Sequence, residues 1–190
     1  MNTSLIDYIR RYIDLSDEEC DLFHSFLKPR KIKKKEHLLQ AGDICKSRYY
    51  ISEGCVRLYY FDKKTNEQII HFAIDNWWTT DYDSLINQAP SGLFIQAIED
   101  TKILELRNES FEKLCNELPR VERLFRIIME KTFIASQRRT AYMLSQSGKE
   151  LYDTFTSENL GFTQRIPQYM LASYLGMTPE FISKLRAGKN

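Results

Sequence analysis

The sequence predicts an α+β protein in which a jelly-roll-like β-roll, one long helix and a pair of short helices follow one another. Short strand-like runs separated by turn residues fill residues 32–106, a spacing typical of a barrel or jelly roll. After Pro119 the apolar residues recur at helical intervals instead, and two short helices flank a glycine near the C-terminus. We therefore expect a roll with flanking helices over 1–117, a long helix over 118–147 and a helix-turn-helix unit over 148–190.

Composition places the chain among ordinary globular proteins. It has 190 residues, 43% hydrophobic and 28% charged, and no apolar run of the ~18 residues that a membrane span needs. The first residues lack a signal-peptide pattern, so we expect a cytoplasmic protein. The cysteines form no Cys-x-x-Cys pair and have no His at metal-ligand spacing, which predicts buried free thiols, no metal and no cofactor. These cysteines are Cys20, Cys45, Cys55 and Cys115.

The charge of the chain is concentrated at one end. The formal net charge is only +1, which by itself argues against a protein that binds nucleic acid over much of its surface. Over residues 161–190, four basic residues against Glu180 give +3, which leaves −2 for the remainder. A modest positive end on a near-neutral body suits a regulator that touches DNA with that end.

Helices are expected first and strands afterwards in the N-terminal half. Residues 4–27 carry apolar residues at helical spacing, with a helix start at Ser16. We interpret the basic run 28–35 as a solvated edge strand, because lysines block unwanted strand pairing; a nucleic-acid patch is the alternative. The predicted strands lie near residues 37–40, 49–52, 55–61, 67–73, 93–98 and 102–106.

A short helix, capped by Asn108 or Ser110, is expected before a much longer one that starts after Pro119. Nothing breaks the long helix before Gly148, so it should be roughly 40 Å long at 1.5 Å per residue. Its residues at alternating spacings of four and three predict a dimer seam filled by a second copy of the chain. A helix packed wholly on its own roll is the alternative. The seam comprises Val121, Phe125, Ile128, Thr132, Ala135, Arg139 and Tyr142.

The C-terminal pair of helices has the pattern of a helix-turn-helix. Ala172 lets a second helix cross closely, and Gly176, four residues later, can adopt the left-handed conformation that ends the first helix. Thr178 is the expected N-cap of the second helix, with Pro179 at its first position. Such a unit places its second helix in the DNA major groove. An ordinary helical hairpin with a solvated polar face is the alternative.

Polar residues on the second helix form the expected DNA-reading face. Glu180, Ser183 and Lys184 share one face, where Glu can accept from a cytosine amine, Ser can bond a base or phosphate, and Lys can reach guanine or phosphate. The full set of predicted DNA contacts is Thr178, Pro179, Glu180, Ser183 and Lys184 on the recognition helix, with Arg165, Arg186 and Lys189 as residues that hold phosphates.

These features together resemble the cyclic-AMP receptor and fumarate–nitrate regulator (Crp/Fnr) family of bacterial transcription factors. The matching parts are Gly42-Asp43, the stretch from Tyr50-Ile through Gly54 to Val-Arg57, the long helix, and Glu180-x-x-Ser183-Lys184, where the family has Glu-x-x-Ser-Arg. The stretch 167–180 is similar to members from Bacteroidetes-type bacteria. The resemblance implies a cyclic-nucleotide-binding-type roll as sensor, a dimerisation helix, a winged helix-turn-helix, a homodimer on a pseudo-palindromic duplex, and RNA polymerase as a further partner.

Two departures from the family pattern affect the expected ligand and the expected wing. The cyclic-nucleotide binders clasp ribose and phosphate with a Gly-Glu pair and an Arg, but no Arg occurs here between Trp78 and Leu106, and that segment is acidic. We therefore expect no cyclic AMP binding, and the effector is unknown. The chain ends four residues after Arg186, so a wing is expected from residues 156–167. Trp77, Trp78, Tyr82 and Phe94 are candidates for an apolar effector pocket, with core packing as the alternative.

Two other function classes compete with a transcription regulator. A cupin-type barrel enzyme needs clustered His ligands, but the three histidines, His24, His37 and His71, form no His-x-His pair, so no enzyme is predicted. A ligand-binding roll whose helix-turn-helix makes only protein contacts is the second alternative.

Overall fold

A computed structural model describes residues 3–187 of the chain, and it confirms the predicted α+β class. The strands are β1 (Lys28–Ile32), β2 (His37–Leu39), β3 (Ser47–Glu53), β4 (Cys55–Phe61), β5 (Glu67–Ile74), β6 (Trp77–Thr79), β7 (Phe94–Ala97) and β8 (Thr101–Arg107). The helices are α1 (Thr3–Arg10), α2 (Asp17–Ser25), α3 (Tyr82–Asn87), α4 (Asn108–Glu117), α5 (Arg120–Ser145), α6 (Gly148–Glu158), α7 (Leu160–Thr163), α8 (Gln168–Leu175) and α9 (Pro179–Arg186).

The strands form two antiparallel four-stranded sheets that face each other as a roll. The first sheet has the order β1-β8-β3-β6 and the second has the order β2-β7-β4-β5. The space between the sheets is filled mainly by apolar side chains from both, together with Leu85 of α3. This cluster consists of Ile32, Leu39, Cys45, Tyr49, Ile51, Val56, Leu58, Ala73, Leu85, Ile95, Ala97 and Ile103.

The outer face of the first sheet is covered by helices from both ends of the roll. Tyr50, Trp78 and Leu104 project from this sheet into a core shared with α1, α2, α4 and the first half of α5. The predicted helix start at Ser16 is confirmed, because Ser16 caps α2 in a reciprocal capping box with Glu19. The interpretation of the basic run as an edge strand agrees with β1, which lies at the end of its sheet.

The first half of the long helix belongs to the core of its own protomer. Val121, Phe125 and Ile128 are 0%, 5% and 7% exposed, and they pack against α1, α2 and α4. Side chains with so little remaining surface have none to bury against a second copy, so these three residues are removed from the predicted dimer seam. Thr132 and Ala135, further along the helix, are exposed.

The helix-turn-helix has the caps that its sequence predicts. Gly176 ends α8 with φ +68°, and Thr178 caps α9 by accepting a hydrogen bond from the backbone N–H of Phe181 at 3.2 Å. The residues expected to supply a wing are helical instead, because 156–158 complete α6 and 160–163 form α7. The expectation of a wing in this stretch is therefore corrected.

The outer face of the second sheet packs against the helix-turn-helix unit. Tyr59, Ile69 and Phe72 from this sheet share a buried cluster with Leu171 and Leu175 of α8. Phe72 also contacts the rings of Phe162 and Tyr174, with centroids 5.2 and 5.3 Å away. The roll and the C-terminal helices therefore share one hydrophobic cluster within the protomer.

Gly54 is required where the β3–β4 turn crosses the start of β8. Its φ is +115°, and an added Cβ would lie 2.5 Å from Thr101 Oγ1 and 2.8 Å from Thr101 Cα. We expect Gly54→Ala to lower the free energy of unfolding by about 2–4 kcal/mol, since it combines backbone strain with a backbone clash. Urea unfolding would measure the loss. Gly92→Ala is the matched control, because no atom lies within 4 Å of its added Cβ; equal losses for both variants would contradict this account.

Candidate nucleic-acid interface

The outward face of α9 presents the predicted reading residues to solvent. Glu180, Ser183 and Lys184 are exposed, whereas Ile182 on the opposite side is 0% exposed in the cluster with α8. The helix therefore has one face fixed by packing and one face free for a ligand. Pro179 and Thr178 lie at its exposed N-terminal end.

A groove between the starts of α8 and α9 adds two residues that the sequence analysis missed. Gln168 donates a hydrogen bond from Nε2 to the Pro179 carbonyl oxygen at 3.3 Å, and Tyr169 is 52% exposed beside it. The signal available in the sequence was an aromatic residue, Tyr169, at the start of the first helix of the pair. The groove is lined by Gln168, Tyr169, Pro179, Glu180, Ser183, Lys184 and Ala187. In helix-turn-helix units the first helix crosses the DNA phosphate backbone, while the second helix enters the DNA major groove.

The three predicted phosphate-binding residues differ in their surroundings. Arg186 is exposed in the last turn of α9, and Lys189 lies outside the described residues. Arg165 contacts the roll: one guanidinium nitrogen bonds Asp75 Oδ2 at 2.5 Å, and the other bonds Glu99 Oε1. The bond to Glu99 and that to Asp75 raise the pKa of Arg165. Burial alone would raise the pKa of Asp75, but bonds from Arg165 and Gly54 lower it. The Arg165 side chain therefore lies among carboxylates of its own protomer.

The four aromatic candidates for an effector pocket do not meet in one place. Trp78 is 8% exposed and packs on Tyr50 and Phe125, outside the first sheet. Phe94 stacks on Tyr59, 5.0 Å away, on the outer face of the second sheet. Trp77 stacks against His71 with 46% of its surface exposed. Tyr82 is a half-buried residue near Arg48. Trp77, Trp78 and Phe94 therefore make separate aromatic contacts, and Tyr82 lies beside Arg48.

The segment that the resemblance places at the family's phosphate clasp contains a buried carboxylate. Asp81 is 5% exposed and accepts hydrogen bonds from the backbone N–H groups of Asp83 and Ser84, at the start of α3. Its second oxygen accepts from Ser91 Oγ at 2.6 Å. A carboxylate therefore occupies the helix start where a bound anion would otherwise be favoured.

Residues 3–187 contain no group of three or more His, Cys, Asp or Glu that is placed to hold a metal ion. All four cysteines are buried free thiols, as predicted. None of the described helices is long and apolar enough to cross a membrane.

Known proteins share both the sequence pattern and the fold. The sequence model of the cyclic nucleotide-binding domain family matches residues 29–117. The fumarate and nitrate reduction regulatory protein of Vibrio cholerae is 27% identical over 186 residues, which cover 90% of this chain and 72% of the relative. The regulatory protein HlyX of Actinobacillus pleuropneumoniae is 25% identical over 184 residues, covering 90% and 75%. These similarities agree with the resemblance to the Crp/Fnr family of regulators.

Solved structures extend the likeness in fold to most of the chain. The global regulator CLP of Xanthomonas campestris matches with a TM-score of 0.76 at 12% identity, covering 91% of each chain. FixK2 of Bradyrhizobium japonicum matches with 0.73 at 18% identity, covering 85% of this chain and 83% of that one. At these identities the likeness concerns the fold. The matched sequence relatives are themselves regulatory proteins, in agreement with the predicted class of regulator.

Proposed function

We propose that this chain is a regulator of the Crp/Fnr type that binds a pseudo-palindromic DNA duplex as a homodimer through α9. The observation that carries the proposal is the exposed face of Glu180, Ser183 and Lys184 on a helix whose other face is buried and whose start is capped by Thr178. A rigid helix with a polar outward face is what major-groove reading requires.

The residues of the groove divide into base readers and phosphate contacts. Glu180 is the expected base reader, since a carboxylate near phosphates is costly unless a cytosine amine or a similar donor bonds it. Lys184 and Ser183 can bond either a base edge or a phosphate. Gln168 and Tyr169 lie at the start of α8, where the first helix of such units meets the DNA backbone, so we assign them to phosphates together with Arg186.

A second copy of the chain is the expected partner of the outer face of α5. Large apolar side chains are exposed along that face: Phe133 is 62% and Leu144 is 84% exposed. Contiguous exposed apolar surface on a helix indicates an interface. The full set is Met129, Phe133, Ile134, Met143 and Leu144. A two-fold dimer presents two α9 helices, which suit half-sites about 34 Å apart.

The roll is proposed as a sensor that does not take cyclic AMP. Its interior is packed with apolar side chains from both sheets, and Asp81 caps the start of α3. The carboxylate would repel a phosphate and would have to leave three hydrogen bonds to make room for one. The effector of this roll is left open.

DNA selected from a random pool by the purified protein would test the reading face. We expect the selected duplex to be pseudo-palindromic, and Glu180→Ala to cost roughly 1–3 kcal/mol of binding and relax preference at one position per half-site. Gel shifts on the selected site would measure this. Glu158→Ala is the control, because Glu158 is exposed on α6, away from the groove. An unchanged base preference in Glu180→Ala would refute this assignment, and selection of no sequence would favour a helix-turn-helix that makes protein contacts only.

Substitutions on α5 would locate the dimer face. We expect Phe133→Asp to dissociate the dimer, because it places a charge within an apolar interface. Ala135 belongs to the seam predicted from the spacing, but its side chain lies about 200° around the helix from Phe133. If the Phe133 face forms the interface instead of that seam, Ala135→Asp should have little effect. Sedimentation equilibrium at micromolar concentration would compare the two variants with the wild type. A wild type that sediments only at 22.5 kDa, or dissociation by Ala135→Asp alone, would contradict this interface.

Titration calorimetry with cyclic AMP and cyclic GMP would test the proposal for the roll. We expect no heat of specific binding from either nucleotide, because no Arg is available in residues 79–105 and Asp81 fills the start of α3. Sodium phosphate at the same ionic strength serves as the control for unspecific anion effects. A dissociation constant in the micromolar range or tighter for either nucleotide would overturn this part of the proposal.

A further inference from the structure

Strand β5 is the end strand of the second sheet, and the helix-turn-helix supplies partners for its free edge. Ser173 of α8 accepts a hydrogen bond from the Ile69 backbone N–H at 2.9 Å and donates one to the Glu67 carbonyl oxygen at 2.7 Å. One hydroxyl group thus replaces a neighbouring strand at this point. A free strand edge needs such partners, because unpaired backbone groups are costly and invite other chains to pair.

The long helix bonds the same edge one residue further on. Arg139 donates one hydrogen bond to the Ile70 carbonyl oxygen at 2.8 Å and another to the Tyr174 carbonyl oxygen at 2.6 Å. Its guanidinium carbon also lies 4.0 Å above the Tyr174 ring. The Arg139 side chain therefore joins α5, β5 and α8.

Burial and the charge of Arg139 lower the pKa of His71 to about 4, so His71 is neutral at pH 7.

Arg165 makes a third contact, at the end of the roll where three turns meet. Asp75 follows β5 and also accepts a hydrogen bond from Gly54 N in the β3–β4 turn at 2.7 Å. Glu99 lies in the β7–β8 turn, next to the close crossing of Gly54 and Thr101. The two carboxylates flank one guanidinium group, and both ion pairs are about two-thirds buried. Pairs that are partly shielded from water hold their geometry better than exposed ones.

We propose that Arg165, Ser173 and Arg139 are positioning residues that fix α8 and α9 on the free edge of the second sheet and thereby set the spacing of DNA half-sites. This inference rests on the proposed function. The contacts leave the reading face of α9 exposed, so they orient the recognition helix without covering it. A recognition helix held in one orientation pays less ordering entropy on binding, and it tolerates less change in the distance between half-sites.

The same geometry assigns Arg165 to the carboxylates instead of a phosphate. A phosphate contact would require Arg165 to leave Asp75 and Glu99, and two carboxylates would then face the negatively charged duplex. The two roles make opposite predictions for variants of the carboxylates, which allows a decisive comparison.

Gel shifts on the selected duplex, and on duplexes with one base pair added or removed between half-sites, would test the proposal. We expect the wild type to lose about tenfold or more in affinity at the altered spacings, because one base pair rotates the half-sites relative to each other. In Arg165→Gln the best affinity should fall about fivefold and the spacing penalty should shrink to about twofold. Asp75→Asn with Glu99→Gln should reproduce this pattern, and all three changes together should add no further loss.

A phosphate role for Arg165 would give a different result and would overturn the proposal. Arg165→Gln would then weaken every spacing equally and reduce the slope of affinity against salt by about one, whereas the carboxylate variants would leave the affinity unchanged or raise it. Arg186→Gln is the control for that pattern, since Arg186 is exposed on α9. Thermal melting of each variant would exclude loss of fold as the cause.

Hydrogen exchange tests the contact without DNA. We expect the Ile69 amide to exchange about tenfold or more faster in Ser173→Ala than in the wild type, because its acceptor is removed. Ser157→Ala is the matched control, since the Ser157 hydroxyl bonds only Thr154 within α6. An Ile69 amide unprotected in the wild type, or unaffected by Ser173→Ala, would refute the contact even if DNA binding is confirmed. Failure to select DNA would instead refute the proposed function and leave this measurement standing.

Discussion

The pairing of the free edge of β5 with Ser173 is the contact on which the arrangement of this protein depends. The second sheet ends at β5, so the outward backbone groups of that strand have no neighbouring strand. Ser173 satisfies the groups of Glu67 and Ile69, and the side chains around it bury the outer face of the sheet. Ser173 thus protects part of a sheet edge and, together with the surrounding apolar cluster, helps to attach α8 to the roll.

Strand β5 is also fixed along its other edge, which faces β4. Arg57 of β4, whose side chain is 5% exposed, forms a two-pronged ion pair with Glu67 and also bonds Gln96 of β7. Because Glu67 begins β5, this buried guanidinium ties the edge strand to the two strands behind it. Movement of β4 or β7 would therefore shift the Glu67 carbonyl group, to which Ser173 donates a hydrogen bond. The interior of the roll is already filled with side chains, so a ligand between the sheets would have to displace them. A shift of the strands would change the position of α8 without that displacement.

Local signals in the sequence predicted the fold and the exposed face of α9, whereas contacts between residues far apart in the sequence could not be predicted. Gly176 and Thr178 carry their conformational preferences within a few residues, so the bounds of α8 and α9 followed from the sequence. Val121 was predicted in the dimer seam but is buried within its own protomer. Alternating spacings of four and three residues identify an apolar helix face, but they do not identify the surface that covers it. Arg165 was assigned to a phosphate by its charge alone. Its partners, Asp75 and Glu99, are 90 and 66 residues away, and no short pattern indicates them.

The long helix α5 carries both the residues wrongly placed in the dimer seam and the unexpected contacts of Arg139, because its surroundings change along its length. Its first half is buried by its own roll through Phe125, and its second half leaves the roll with Phe133 exposed on another face. Arg139 lies where the helix passes from one environment to the other, and there it bonds both β5 and α8. A helix of 26 residues is stiff over this length, so a shift at one face is carried to the others. The proposed dimer face, the edge of the second sheet and α8, which carries α9, are therefore connected through Arg139.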